Sequence, residues 1–275
     1  MSLSHVLPAL TSQVPPREAG RIPRDRLVVS QADLACAIAA AGPTTGLPTI
    51  IKEHALTSLM LACAGVRYLC QGAAVRDAYR RMTTAEFGRI NARQAWANWR
   101  VIPRNLHGNL RIDRPSRVLD LCCGMGDSTR ALAWWLPAGS FIVGMELDPR
   151  FAEAASAFRY RNRDGEIIPA SIQRTSVLEG FRDCHGTRCA DGSVDLVHAI
   201  GSIGCHFTPE QTAVILAECA RVLADDGFAM LDAGRAGTSP KELTHVAQAH
   251  GFTVIGRARS WRFDRYEQLV LRRTA

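Results

Sequence analysis

Two acids and two glycines carry the first chemical signal in this 275-residue chain. In Val118-Leu119-Asp120-Leu121-Cys122-Cys123-Gly124-Met125-Gly126-Asp127-Ser128-Thr129, an apolar run bears an acid near its end and turns through Gly124 and Gly126. It then enters a segment with Asp, Ser and Thr at a helix start. Glycines let the backbone approach a ligand and take torsions that a side chain forbids. Free N–H groups at the following helix start favour a carboxylate or a phosphate. A second apolar run ends in Glu146, at the spacing of about 20 residues where an acid accepts hydrogen bonds from ribose hydroxyls. The three-glycine dinucleotide pattern is broken: its third position, counted from Gly124, is Thr129, and counted from Cys122 the first glycine is missing. Pyrophosphate is poorly provided for. A ligand with one carboxylate, one amine and one adenosine fits better.

These residues need a scaffold of strands with their carboxyl ends together. From about residue 115, short apolar runs alternate with amphipathic stretches, the pattern of βαβ units and a parallel sheet. Strands are expected at residues 117–122, 140–146, 171–176, 194–200 and 228–232, with a closing antiparallel hairpin from 252–258 and 266–271. Helices fit between them at 128–135, 149–160, 209–223 and 240–250. Upstream, residues 1 to about 30 are rich in Pro, Arg and Ser without a sustained period and read as an arm. A helix is expected between the N-cap Ser30 and the stop Gly42-Pro43, followed by helices at 52–70, 74–81 and 84–100. The division is residues 1–112, an arm and helical lid, and residues 113–275, the nucleoside-binding unit.

VLDLCCGMGDST resembles the first motif of class I S-adenosylmethionine (SAM) dependent methyltransferases, V-L-D-x-G-C-G-x-G. MELDPRFAEAA resembles their second motif, DGSVDLVHAIGSIGCHF their fourth-strand segment, and ECARVLADDGFAMLD the segment before strand five. The resemblance covers residues 115–272 and is closest to the small-molecule branch typified by ubiquinone and menaquinone biosynthesis enzymes. It implies an α/β fold: a doubly wound, seven-stranded, mostly parallel Rossmann-like sheet in order 3-2-1-4-5-7-6 with an N-terminal helical region. It implies SAM as cofactor and S-adenosylhomocysteine (SAH) as product. Asp120, Gly124 and Gly126, with Cys122 in the same turn, would hold the methionine end. Glu146 would bind the ribose, Leu147, Ser176 and Val177 would border the adenine, and Ile200 would lie under the sulfur. Cys122 stands where the family has a glycine, so its turn must suit an L-residue. Asp226 replaces a glycine of the fifth-strand segment, and Ser176-Val177 replaces an acid that contacts adenine.

His206 follows strand four, and an imidazole with an ordinary pKa near 6.5 suits a catalytic base or substrate contact there. The bland alternative is a histidine that caps the helix near Pro209. Trp96 and Trp99 on the last helix before the sheet fit a core better than a ligand cage. No metal is expected: Cys122-Cys123, Cys205-His206 and Cys184-His185 match no zinc-finger spacing. Nine cysteines without regular spacing read as reduced thiols, with Cys36, Cys63 and Cys70 buried. No window of roughly 18 apolar residues reads as a membrane span, and the opening MSLSHVLPALTSQVPPREAG lacks a signal-peptide pattern; a cytoplasmic location is expected. The net charge of +7 comes from scattered arginines, since only Lys52 and Lys241 are lysines. The densest stretch, residues 159–163, is expected at a helix end. A nucleic-acid partner is disfavoured, because Ala199-Ile200-Gly201-Ser202 stands where those enzymes carry N/D-P-P-Y/F. A small-molecule acceptor is the first reading, with homodimerisation left open. The alternatives are a nucleic-acid or protein methyltransferase and a catalytically degenerate scaffold.

Overall fold

The computed structural model describes residues 46–63, 73–110, 112–262 and 264–274. The helix expected after Ser30, and the far end of the one expected at 52–70, lie outside them. Three helices come first: α1 (Leu47–Cys63), α2 (Ala73–Arg81) and α3 (Thr84–Pro103), the last running into a π-helical turn, Arg104–Leu110. α3 starts where Thr83 and Glu86 satisfy each other's backbone N–H groups in a capping box.

The sheet is built from β1 (Arg117–Leu121), β2 (Phe141–Glu146), β3 (Ala170–Arg174), β4 (Val194–Ala199), β5 (Leu223–Ala233), β6 (Phe252–Ala258) and β7 (Glu267–Arg273). Its order is β3-β2-β1-β4-β5-β7-β6, with the β5–β7 and β6–β7 pairs antiparallel and the rest parallel. This is the doubly wound seven-stranded sheet expected from the sequence. The intervening helices are α4 (Asp127–Trp135), α5 (Pro149–Ser156), α6 (Ile203–His206), α7 (Pro209–Val222) and α8 (Pro240–Ala249). Proline opens α5, α7 and α8, where its missing N–H has no partner to lose.

Both faces of the sheet are buried, which is why its central strands read as unbroken apolar runs. One core joins Leu119, Val143, Val197 and Leu231 to Leu216 and Leu243 from α7 and α8. The other joins Val118, Ile142, Leu196 and Met230 to Trp99, Ile102 and Leu132 from α3 and α4. Trp99 meets Trp134 edge to face, and Trp96 packs with Ile50 of α1 under the Arg100 guanidinium. Both tryptophans are core.

Several local expectations need correction. α5 stops at Ser156, not residue 160, because Tyr160 turns inward and its hydroxyl donates to the Ala155 carbonyl at 2.7 Å. The arginines at 159–163 therefore lie beyond the helix, and Arg161 pairs with Ile167 in an isolated bridge. β3 ends at Arg174, since Ser176 instead caps a 3₁₀ turn, Val177–Glu179. β5 begins five residues early because Leu223 pairs with Val194 across a register shift. Cys63 is exposed: the buried stripe of α1 passes through Ile50 and Thr57, and Cys63 lies off it. Cys36 and Cys70 fall outside the described residues.

Three ties hold the N-terminal helices against the sheet's carboxyl edge. Arg93 of α3 pairs with Asp264 at 2.5 Å. Arg150, held by Asp148, donates to the carbonyls of Met82 (2.6 Å) and Tyr79 (3.0 Å). Asn105 bonds Gln268, whose amide reaches the Ala199 carbonyl at the end of β4. The loops after β4 and β5 meet backbone to backbone: Gly237 donates to the Gly204 carbonyl at 2.7 Å and Thr238 to that of Ile203 at 3.1 Å. A methyl group on Gly204 would collide with the main chain of Ala233 and Gly234. Gly204→Ala should therefore cost about 1–3 kcal/mol, as overpacking of rigid interiors does, read as a lower urea midpoint at unchanged slope.

Candidate functional site

At the carboxyl edge, where the order reverses between β1 and β4, open α/β sheets bind their ligands. Here lies a cavity of about 990 Å³, at the top of the roughly 300–1,000 Å³ range of small-molecule sites. Of the ten residues singled out in the sequence, eight line it: Cys122, Gly124, Glu146, Leu147, Ser176, Val177, Ile200 and His206. Asp120 and Gly126 do not.

The glycine turn and the second acid meet directly. The Gly124 N–H donates to Glu146 Oε2 at 2.9 Å, and the Asp148 N–H donates to Oε1 at 2.8 Å. These bonds orient the carboxylate at the tip of β2, while burial pushes its pKa up. Gly124 has φ +56° and faces the cavity, with Phe87 of α3 above it. Gly126, at φ +89°, N-caps α4 and faces inward, where a Cβ would lie 2.5 Å from the Tyr160 hydroxyl. The turn takes a non-glycine in the left-handed region: Cys122 has φ +53°, a conformation costing roughly 1–2 kcal/mol. Burial and the carboxylates of Glu146, Asp232 and Asp120 push its thiol pKa up, so it stays protonated beside the cavity. Leu147 is half exposed on the wall, and the Ser176 hydroxyl accepts from the Leu178 N–H.

Asp120 acts from beneath. It is wholly buried, and its carboxylate accepts from Ser128 Oγ (2.8 Å) and Thr129 Oγ1 (2.6 Å) at the start of α4 and is bonded to His198 Nδ1 (2.8 Å) of β4. The carboxylate is turned into the protein and stands behind the glycine turn. A matching node lies under the opposite wall. Asp232, at the end of β5, accepts from the backbone N–H groups of Ser202 (3.2 Å), Ile203 (3.0 Å) and Gly204 (3.0 Å), fixing α6 and hence His206. Burial raises its pKa.

His206 ends α6 and meets Tyr79 of α2 edge to face at 5.6 Å. Tyr79 contacts Phe87, which stacks on Phe151 of α5 at 3.9 Å. An aromatic roof thus spans the N-terminal helices and the sheet. Gln94 and Asn98 complete the wall beneath α3. Sequence reasoning missed Asp232, His198, Arg150, Phe87 and Gln94. Asp232 had a signal, since it ends an apolar strand as Glu146 does; the others depend on which helix face meets the sheet. Among the described residues no group of three or more His, Cys, Asp or Glu is placed to hold a metal. No described helix is long and apolar enough to cross a membrane.

Residues 118–227 match the family profile described as a methyltransferase domain. The chain is 30% identical over 129 residues to an uncharacterized methyltransferase of Synechocystis, covering 46% of this chain and 51% of that protein. It is 31% identical over 83 residues to an electron transfer flavoprotein beta subunit lysine methyltransferase of Xenopus laevis, covering 30% and 32%. The chain thus spans about half and a third of the curated relatives it matches. A solved structure of a Burkholderia thailandensis 1,6-didemethyltoxoflavin-N1-methyltransferase aligns over 72% of this chain and 89% of that one, at 21% identity and TM-score 0.49. Residues 118–227 are therefore similar to a methyltransferase domain.

Removing the Asp120 carboxylate would strand two hydroxyls and an imidazole in a dry interior. Asp120→Ala should cost about 3 kcal/mol, read by urea denaturation, although no Asp120 atom faces the cavity.

Proposed function

We propose that this protein transfers the methyl group of SAM to a small-molecule acceptor and releases SAH. The observation that carries the reading is the convergence of Gly124 and Glu146 at the mouth of one cavity, joined by a 2.9 Å bond. The residues fit the cofactor. Glu146 offers a carboxylate to the ribose hydroxyls, and Leu147 with Val177 offers apolar walls to the adenine. Gly124 gives close backbone approach, and the start of α4 is a favourable place for the methionine carboxylate. SAM, when bound, supplies an electrophilic methyl group on a sulfonium.

The chain's part is placement. Ile200 and Gly201 form the floor beside the methyl position, and the aromatic roof of Tyr79, Phe87 and Phe151 limits water. An in-line displacement needs the nucleophile held close and aligned, which such a site supplies. His206 lines the acceptor side and would contact the acceptor or take its proton. In this reading residues 1–112 are an arm and a helical lid or substrate region, and residues 113–275 the SAM-binding domain. A protein acceptor is the second reading, favoured by the similarity to a lysine methyltransferase.

Isothermal titration with SAM, SAH and NADH tests the proposal. Micromolar binding of both adenosyl ligands, none of NADH, and losses of about tenfold or more in Glu146→Ala and Gly124→Val are expected. Failure of the folded protein to bind either adenosyl ligand would defeat it.

The raised pKa of Glu146 adds a pH signature. Only the ionised carboxylate accepts from both ribose hydroxyls, so a raised pKa moves the loss of affinity upward in pH. SAH affinity should fall with acidification from above the ordinary value of 4.5, and Glu146→Gln should bind more weakly without that dependence.

A further inference from the structure

The wall beside Ile200 carries two neutral amides one helical turn apart. Gln94 and Asn98 of α3 both line the cavity, and Gln94 Nε2 donates to Asn98 Oδ1 at 3.0 Å. Asn98 is only 3% exposed, yet among the described residues its own amide N–H₂ donates to nothing, and Gln94 Oε1 accepts from nothing. Neither free atom is fully enclosed, so both open onto the cavity, where a ligand or water serves them. Gln94 also lies on the floor: a Cβ at Gly201 would stand 2.8 Å from its Cγ. The pair therefore borders the place where the acceptor must meet the methyl group.

The internal bond restricts what the pair can recognise. With the polarity described, Gln94 presents a free carbonyl oxygen and Asn98 a free N–H. Exchanging O and N in both amides reverses the two, and still leaves one acceptor beside one donor. The charges that line the cavity are engaged or placed elsewhere. Asp148 is paired with Arg150, Asp77 with Arg80 and Asp127 with Arg130, and Arg174 ends β3 beside the tip of β2, at the Glu146 end of the cavity. Gln94 abuts Gly201, and Ile200, His206 and Phe207 line the same cavity. His206 is the sole titratable group among these.

We propose that the methyl acceptor is a neutral, planar molecule with a lactam-type edge, one N–H beside one C=O, read by Gln94 and Asn98. The inference rests on the methyl-transfer reading and narrows its substrate class. A site built to bond such an edge discriminates sharply against molecules lacking it, because its own buried amides are then left unpaired. Carboxylates and ammonium groups would each find neutral amides where they need an opposite charge.

The test is titration of the SAH-loaded protein with uracil and quinazolinone as neutral lactams, benzoate as an anion and a lysine peptide as a cation. The near-isosteric variants Asn98→Leu and Gln94→Met are titrated alongside. The lactams should bind the wild type, and each variant should lose about tenfold in lactam affinity while its SAH affinity stays within about twofold. Retained SAH binding certifies that the variants are folded. Binding of only benzoate or the peptide, binding of no lactam, or undiminished lactam binding by both variants would overturn the inference. Loss of SAH binding in the wild type would instead defeat the methyl-transfer reading itself.

Discussion

The structure depends on a carboxylate that never sees solvent. Asp120 sits at the tip of the central strand β1, and its two oxygens tie together three things: the hydroxyls that open α4, the imidazole of β4, and through them the glycine turn between. A buried acid is costly unless its hydrogen bonds are met. Here they are met by groups from neighbouring elements, so the carboxylate is satisfied only when β1, β4 and α4 are in register. The turn facing the cavity inherits its shape from that condition. It can therefore carry a cysteine at φ +53°, a strain tolerated where surroundings over-determine the backbone.

The same device recurs along the sheet edge with different exposures. Glu146 at the tip of β2 binds two backbone N–H groups but keeps a face toward the cavity. Asp232 at the tip of β5 binds three backbone N–H groups from below α6. Three acids on three strand tips thus set three loops, and only the most exposed of them, Glu146, faces the cavity. Placement of His206 follows from Asp232, placement of Gly124 from both Asp120 and Glu146. The N-terminal helices are tied to this edge by Arg150 and Arg93, so Phe87 and Gln94 reach the cavity from a region without a sequence motif.

Legibility in the sequence divides along these lines. The strands of the central sheet were readable because burial on both faces demands unbroken apolar runs, and the hairpin at 252–258 and 266–271 was readable from the closeness of its two runs in sequence. The turn residues and Glu146 were readable because glycine and acid are required at fixed offsets. Asp120 illustrates the limit: its position was evident, but whether its side chain faces cavity or core depends on Ser128, Thr129 and His198, which no local pattern reveals. The end of α5 was missed for a similar reason, since Tyr160 leaves the helix to pack under Gly126. No local pattern marks Gln94; only the docking of α3 on the sheet turns it and Asn98 toward the cavity.

The most direct measurement of the central claim is a crystal structure with SAH bound. The account predicts ribose hydroxyls on the Glu146 carboxylate, the methionine end against Gly124 and the start of α4, and the Asp120 network with Ser128, Thr129 and His198 unchanged. SAH bound elsewhere, or an Asp120 carboxylate released from that network to touch the ligand, would contradict it.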